Sequence, residues 1–106
     1  KILELMERYK QININDTKKW SNQAAFFTRQ LWNMLVLARV ITIGAYNRNE
    51  SRGAHYKPDF PDRNDEEWLK TTKAFYEGPL EAPRFEYEDV DVSLIPPRIR
   101  DYSAKH

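Results

Sequence analysis

The sequence predicts a mainly α-helical fold: a helical bundle with a small β-hairpin and an extended C-terminal tail. Apolar residues recur at helical spacing through most of the first half of the chain, and two aromatic and β-branched runs flank a turn region in the second half. A chain of 106 residues has the size of one domain with one modest core. We therefore expect residues 1–106 to form a single domain.

The first predicted element is a short amphipathic helix over residues 1 to about 10. Charged side chains alternate with apolar ones that follow helical spacing, and the apolar set is Ile2, Leu3, Leu5, Met6 and Tyr9. The first amide hydrogens of a helix need a capping side chain, and Lys1 does not provide one. We therefore expect the helix, and the polypeptide, to begin upstream of Lys1.

The second predicted element is a long helix from about Asn22 to about Ser51. Ser21 is its predicted cap, and Gly53 is placed to end it in the left-handed conformation. Roughly 30 residues correspond to about 45 Å of helix. The helix is apolar on two faces, one formed by Phe27, Leu31, Met34, Leu35, Ala38 and Ala45, and the other by Trp32, Val36, Val40 and Ile43.

A helix that is apolar on most of its circumference must be covered on more than one side, and the short helix before it cannot do this alone. We therefore expect apolar surface to remain exposed in the chain by itself, which would favour self-association. Four aromatic side chains at helical spacing are expected to belong to a core rather than to a stacking site for a ligand: Trp20, Phe26, Phe27 and Trp32.

The second half of the chain opens with a loop that contains two prolines and an acidic cluster at residues 62–67. Two aromatic and β-branched runs then predict a β-hairpin, with strands over Trp68–Tyr76 and Arg84–Val92. An isolated hairpin is marginal in water, so its apolar face should pack on the long helix or on a segment outside the chain. Residues 93–106 predict a tail that runs extended over a surface.

Composition excludes several classes of partner. With 17 basic and 16 acidic residues the net charge is +1, so neither nucleic acid nor an anionic membrane surface is indicated. The absence of cysteine excludes disulfides and thiolate metal sites. The most apolar segment, Met34 to Ala45, is shorter than the roughly 20 residues of a membrane span and carries Arg39, so direct membrane insertion is not expected.

The polar stretch after the long helix holds the candidate site residues. Arg48, Glu50 and Arg52 could bind an anion, complement the helix dipole, or dock onto another protein surface, and these alternatives stay open. His55 could act as an acid–base group or metal ligand, but the chain has no second internal histidine, so we favour a structural His55 bonded to backbone or carboxylate at a helix end. We expect Arg39 to reach solvent or form an ion pair.

The stretch "RNESRGAHYKPDFPDRNDEEWLKTT" resembles the C-terminal region of the flavoprotein subunit of succinate dehydrogenase and fumarate reductase. That region carries an Arg-x-Glu-Ser-Arg-Gly-Ala-His run, an Asp-Phe-Pro element and an Arg-Asn-Asp-Glu run before an aromatic-Leu pair. The run is matched by Arg48, Glu50, Ser51, Arg52, Gly53, Ala54 and His55. The flanking segments "WSNQAAFFTRQLWNMLVLARVITIGAY" and "FEYEDVDVSLIPPRIRDYS" are similar to the Bacillus-type succinate dehydrogenases, so the resemblance covers nearly the whole chain.

The resemblance implies a parent enzyme that oxidises succinate to fumarate with covalently held FAD and passes electrons to an iron–sulfur subunit. Such a complex lies on the cytoplasmic side of the bacterial cell membrane as a peripheral assembly on a membrane anchor. The glycine motif, the flavin-linking histidine and the dicarboxylate-binding residues of the family lie upstream of this segment. No catalytic, cofactor-binding or metal residue is therefore assigned here, and the chain alone is not expected to be active.

The resemblance also implies a structural and docking role. The region is a spectrin-repeat-like helical bundle with a small β element, packed on the flavin-binding domain, and its first helix would precede Lys1. We expect five residues to be interdomain or subunit contacts: Arg48, Glu50, Ser51, Arg52 and His55. The partners would be the rest of the flavoprotein subunit and the iron–sulfur subunit.

Four alternatives remain, of which a C-terminal region of adenylylsulfate reductase, a related flavoprotein, is the most remote. The chain could be the C-terminal domain of L-aspartate oxidase, although Ala54 and the Asp-Val-Asp-Val-Ser-Leu-Ile-Pro-Pro ending favour succinate dehydrogenase over the Glu-Ser-Arg-Gly-Leu-His pattern of that family. It could be a free-standing helical interaction module that binds a partner helix. It could also be a small hydrolase or metal enzyme, which would need His55 to act with nearby carboxylates.

Overall fold

Helices and one antiparallel strand pair make up the chain in this computed structural model, which describes residues 1–98. The elements in chain order are α1 (Ile2–Tyr9), α2 (Gln23–Asn47), α3 (Asp65–Trp68), β1 (Lys70–Phe75) and β2 (Arg84–Asp89). The predicted fold class, mainly helical with a small hairpin, is confirmed. Of the predicted tail, residues 99–106 lie outside the described part of the chain.

The first helix packs against the middle of the second. Met6 of α1 is 2% exposed and Leu35 of α2 is 9% exposed, and these two form the buried apolar core of the described residues. The rings of Tyr9 and Trp32 lie 5.1 Å apart between centroids. The amphipathic helix that the sequence predicts near the start of the chain is therefore confirmed, and α1 covers one side of α2.

The start of α2 differs from the prediction by one residue. Asn22, not Ser21, is the cap: its side-chain oxygen accepts from Ala25 N at 2.9 Å, while its Nδ2 donates to the carbonyls of Asp16 (2.8 Å) and Lys18 (3.1 Å). An amide can accept from the helix and donate to the preceding loop at the same time, which favours Asn over Ser at this junction. Ser21 instead takes a positive φ of 54°.

The end of α2 was predicted four residues too late. The helix ends at Asn47, because Arg48 turns to an extended conformation with φ −82° and ψ 105°. Lys57 Nζ donates to the free carbonyl of Tyr46 at 2.6 Å, and so satisfies one acceptor that the helix end leaves open. Gly53 does adopt the left-handed region, with φ 59°, but in a separate turn beyond the helix.

The hairpin packs on the C-terminal half of α2 through the face that carries Phe85. Its strands pair in antiparallel register from Lys70 opposite Asp89 to Phe75 opposite Arg84. Phe85 lies against Gly44 so closely that a Cβ on that glycine would stand 3.3 Å from the ring. The absence of a side chain at Gly44 therefore lets the hairpin approach the helix.

Both predicted strands were too long, and the acidic cluster was wrongly taken as loop throughout. Residues 65–68 form the one-turn helix α3, whose cap Asn64 accepts from Glu67 N at 3.1 Å. An Asn followed by acidic residues is a helix start, because its side chain and their charges suit the free amides of the first turn. Trp68 thus ends a helix, and its ring packs edge-on against Tyr87.

Much of α2 has no cover. The radius of gyration is 19.5 Å, against about 13 Å for a compact domain of this length. Phe27, Met34 and Ile41 are 63%, 62% and 68% exposed, which confirms the prediction that the chain leaves apolar helix surface open. Of the four aromatic residues expected in a core, Trp32 is half-buried, whereas Trp20, Phe26 and Phe27 are exposed.

A membrane span is not found within residues 1–98, where every helix is too short or too polar to cross a bilayer.

Candidate functional site

The polar segment that joins α2 to the hairpin is a compact structure, which we call the latch (residues 48–55). Its outer end is a tight turn in which Arg52 and His55 exchange both backbone hydrogen bonds, at 2.9 and 3.0 Å. Gly53 occupies the first position of this two-residue loop with φ 59°, as a type II′ turn requires. A Cβ there would meet nothing within 4 Å, so backbone conformation rather than space favours glycine.

Glu50 lies at the centre of the latch and is completely buried, with 0% exposure. Its Oε1 accepts from Arg48 Nε at 2.7 Å and Arg52 Nε at 2.9 Å, and its Oε2 accepts from Arg52 Nη2 at 3.0 Å and from the backbone N–H of Asn64 at 3.1 Å. A buried carboxylate is tolerated only when it is paired and hydrogen-bonded in this way.

The charge of Glu50 is maintained by these partners. Burial raises the pKa of the Glu50 carboxyl, but the hydrogen bonds from Arg52, the Asn64 amide and Arg48 outweigh it and hold the pKa below its usual range. Glu50 is therefore an anion at neutral pH and binds two arginines from the same segment.

Arg48 connects the latch to the hairpin. Its Nη1 lies 3.3 Å from both the carbonyl of Lys70 and the hydroxyl of Thr72, and its Nη2 donates to the carbonyl of Trp68. The guanidinium also stands 5.4 Å from the centroid of the Trp68 ring. One side chain thus ties the end of α2 to the last residue of α3 and the start of β1.

Arg52 extends the network to α3 and the tail. Its Nη2 lies 2.6 Å from Asp65 Oδ1, and Arg63 Nη2 lies 2.5 Å from Asp65 Oδ2. Hydrogen bonds from Arg63 and then Arg52 lower the pKa of Asp65, and the hydrogen bond to Glu50 raises the pKa of Arg52. Arg63 Nη1 donates in turn to the carbonyl of Arg98 at 2.8 Å.

Ser51 and His55 face the loop that follows the latch. The Ser51 hydroxyl donates to the carbonyl of Phe60 at 2.8 Å and accepts from Lys57 N at 3.0 Å. His55 Nε2 lies 3.2 Å from the carbonyl of Arg48, which confirms the prediction of a histidine bonded to backbone at a helix end.

The five predicted site residues are therefore brought together, and all of them make contacts within the chain. The donors of Arg48 and Arg52 are directed at Glu50, Asp65 and backbone carbonyls, so the arrangement joins segments rather than presenting an open fork to an anion. Arg39 remains partly exposed, as predicted, and its Nη1 donates to the carbonyl of Leu80 in the hairpin turn at 3.3 Å, but it forms no ion pair within residues 1–98. No cluster of three potential metal ligands occurs within residues 1–98.

Three residues of the network were not predicted as site residues: Arg63, Asn64 and Asp65. They lie 13 to 15 positions from Glu50, and nothing in the acidic cluster distinguishes Asp65 from Asp62 or Glu66. The acidic cluster close to an arginine-rich segment indicates that ion pairs will form between the two. It does not indicate which carboxylate pairs with which arginine.

These features define the class of molecule: a helical domain with a β-hairpin, in which an internal arginine–carboxylate network connects the long helix to the hairpin. The family model for the fumarate reductase flavoprotein C-terminus matches residues 1–102. The chain belongs to this family.

Individual relatives agree. The chain is 77% identical over 105 residues to the succinate dehydrogenase flavoprotein subunit of Bacillus subtilis (strain 168), covering 99% of the chain and 18% of that protein. It is 41% identical to the fumarate reductase flavoprotein subunit of Haemophilus influenzae, covering 99% of the chain and 17% of that protein. The solved E. coli quinol fumarate reductase chain FrdA superposes with a TM-score of 0.85 at 34% identity, over 99% of this chain and 18% of that one. The chain thus spans less than one fifth of the length of these relatives.

Proposed function

We propose that the chain is the C-terminal structural and docking domain of a succinate dehydrogenase flavoprotein subunit. The observation that carries this proposal is the uncovered apolar surface of α2, on a chain that matches less than one fifth of its relatives. A surface of this kind is normally covered in the assembled protein. The 77% identity to a succinate dehydrogenase subunit favours that parent over L-aspartate oxidase and over a free-standing interaction module.

The uncovered surface has the pattern of a helix-packing seam, which we call the α2 stripe. Its members alternate at spacings of four and three residues: Phe27, Leu31, Met34, Ala38, Ile41 and Ala45. The flanking positions carry no charge, since they are Thr28, Gln30, Leu35, Leu37, Thr42 and Gly44. An apolar stripe without charged flanks suits burial beneath a broad surface of the parent subunit, and Ala38 and Ala45 allow close approach of its backbone.

The parent would oxidise succinate to fumarate with FAD, deliver electrons to an iron–sulfur subunit, and lie at the cytoplasmic side of the membrane. The glycines of this chain stand far apart, at positions 44, 53 and 78, which does not fit a dinucleotide phosphate loop. We therefore assign no flavin contact to these residues, and the chain alone is not expected to turn over succinate.

Within that parent, we propose the latch residues as interdomain or subunit contacts. Some of them would act directly and one, Glu50, indirectly. Glu50 is completely buried, so it would act by holding Arg48 and Arg52, whose side chains are 17% and 27% exposed. Ser51 and His55 are half-buried and retain accessible edges. The latch would thus present a rigid polar surface whose arginines are fixed from inside.

The two methionines of the chain provide a test. Met34 lies in the α2 stripe and is 62% exposed, whereas Met6 is 2% exposed. Peroxide converts an accessible methionine to its sulfoxide, which mass spectrometry of the peptides measures. In the isolated chain at low concentration we expect Met34 to oxidise at least tenfold faster than Met6. In the full-length flavoprotein subunit we expect both to oxidise slowly.

Met6 is the matched internal control, since the same reagent acts on both residues. If Met34 reacts as fast in the full-length subunit as in the isolated chain, the α2 stripe is not covered there and the proposed function is wrong.

A further inference from the structure

Residues 91–98, which we call the arm, follow β2 and are attached at both ends. At the start, Val90 N donates to the carbonyl of Leu69 at 3.3 Å. At the far end, the carbonyl of Arg98 accepts from Arg63 Nη1 at 2.8 Å. Between them the Asp91 carboxylate accepts from Ser93 N at 2.9 Å and forms a local turn. These contacts attach the arm at both ends to the segment that contains α3.

The middle of the arm exposes two adjacent aliphatic side chains. Leu94 is 93% exposed and Ile95 is 80% exposed, more than the 60–70% of the α2 stripe residues Phe27, Met34 and Ile41. Pro96 and Pro97 follow directly and limit the backbone conformations of this segment. An attached, stiffened segment with an apolar tip pays little additional ordering entropy when it binds.

The size of this tip decides what it can bind. Two side chains bury far less than the roughly 1,200 Å² of a stable interface between separate proteins. A contact this small is effective only against a partner that is already held nearby, where the effective concentration is high. The B. subtilis relative has more than four fifths of its length outside the region that this chain matches, and that polypeptide is such a partner.

We propose that the arm docks Leu94 and Ile95 into an apolar pocket on the remainder of the flavoprotein polypeptide, at a site separate from the surface that covers the α2 stripe. Asp89 precedes the arm and is 89% exposed, and Asp91 is its first residue, so we expect basic side chains beside the pocket. This inference rests on the proposed function, since it requires the parent polypeptide.

Hydrogen exchange of the full-length subunit, followed by mass spectrometry of its peptides, tests the proposal. Docking should slow exchange of the amides of the arm at least tenfold relative to an unstructured peptide of the same sequence. The double variant Leu94→Ser and Ile95→Ser should restore fast exchange in the arm. The matched control is Leu80→Ser, which removes an aliphatic side chain that is 60% exposed in the hairpin turn and should leave the arm unchanged.

Two outcomes would overturn the proposal: fast exchange of the arm in the unaltered subunit, or exchange that is equally slow in the double variant. Met34 oxidation in the same sample separates the two hypotheses. If Met34 is protected while the arm exchanges fast, the arm proposal fails and the proposed function stands. If Met34 also reacts fast, both fail.

Discussion

The latch and the α2 stripe are adjacent in the chain, yet their side chains differ in whether they find partners within it. In the latch, the buried carboxylate of Glu50 has all its partners within the same 106 residues. Along α2, Phe27, Met34 and Ile41 have more than half of their surface in water. The difference teaches that the polar contacts of the latch are completed within residues 1–98, whereas the apolar face of α2 is left open by these residues.

The largest expected effect comes from breaking the network at its centre. Glu50→Ala leaves the guanidinium groups of Arg48 and Arg52 close together without their anion. Removing one partner of a buried ion pair costs about 3–5 kcal/mol, and we expect a loss of that size in the free energy of unfolding by urea. Glu66→Ala, which removes an exposed carboxylate from α3, is the matched control and should change it by less than about 0.5 kcal/mol. Equal losses in both variants would show that the latch is not a stabilising centre.

The next largest effect distinguishes the contribution of the positive charge of Arg48 from that of its planar set of hydrogen-bond donors. Arg48→Lys keeps the charge beside Glu50 but cannot reach Trp68, Lys70 and Thr72 at once, since an ammonium lacks the planar fork. We expect a loss of about 2 kcal/mol in unfolding free energy, together with faster amide exchange in β1. A lysine variant with unchanged exchange in β1 would mean that Arg48 does not hold the hairpin.

A third effect concerns self-association through the exposed α2 stripe. Met34→Glu places a charge in the α2 stripe and should dissociate any dimers or larger species of the isolated chain, as sedimentation at high concentration would measure. Asn33→Glu adds the same charge at the neighbouring exposed position outside the stripe and should leave self-association unchanged. Because Met34 is largely exposed, neither change should alter the unfolding free energy of the monomer by more than about 0.5 kcal/mol. A monomeric unaltered chain would show that the stripe does not self-associate.

The two constrained glycines offer a smaller test. Gly53→Ala meets no atom but forces an alanine to φ 59°, which costs about 1 kcal/mol. Gly44→Ala has no such backbone strain and instead presses a methyl group toward the Phe85 ring. We expect Gly53→Ala to lower the unfolding free energy without changing the near-ultraviolet aromatic signal, and Gly44→Ala to change that signal. The opposite pattern would contradict the close packing of the Phe85 ring on Gly44.

Acid should weaken the latch gradually. The pKa values of Glu50 and Asp65 are lowered in the folded chain, so their contribution is complete above the unfolded values, about 4. It is lost as the pH falls from there through the lower folded values, because the unfolded chain then binds more protons. Urea unfolding between pH 6 and pH 3 should show a smaller decline for Glu50→Gln than for the unaltered chain. An identical decline would mean that Glu50 is not the titrating group.

The helices α1 and α2 and the hairpin could be predicted from the sequence because they depend on local periodicity and turn chemistry, whereas α3, with four residues, is too short to show a periodicity. The helix ends could not, since Asn22 rather than Ser21 caps α2 through contacts with a loop that has no periodicity. Arg48, Glu50, Arg52 and His55 could be singled out from their residue types beside the predicted helix end, whereas Ser51 was added by the resemblance. The pairing of Arg52 with Asp65 depends on how the chain folds back over 13 residues, which neither pattern nor resemblance specifies.

Arg48 and Arg63 each pair with a carboxylate, but they reach the hairpin and the arm largely through main-chain oxygens: those of Trp68 and Lys70 in one case and Arg98 in the other. Every amino acid, proline included, supplies that oxygen. Substitutions at the recipient positions can therefore accumulate over evolution without releasing the hairpin or the arm, whereas the donating arginines have no such freedom. Divergent members of this family should accordingly vary more at position 98 than at position 63.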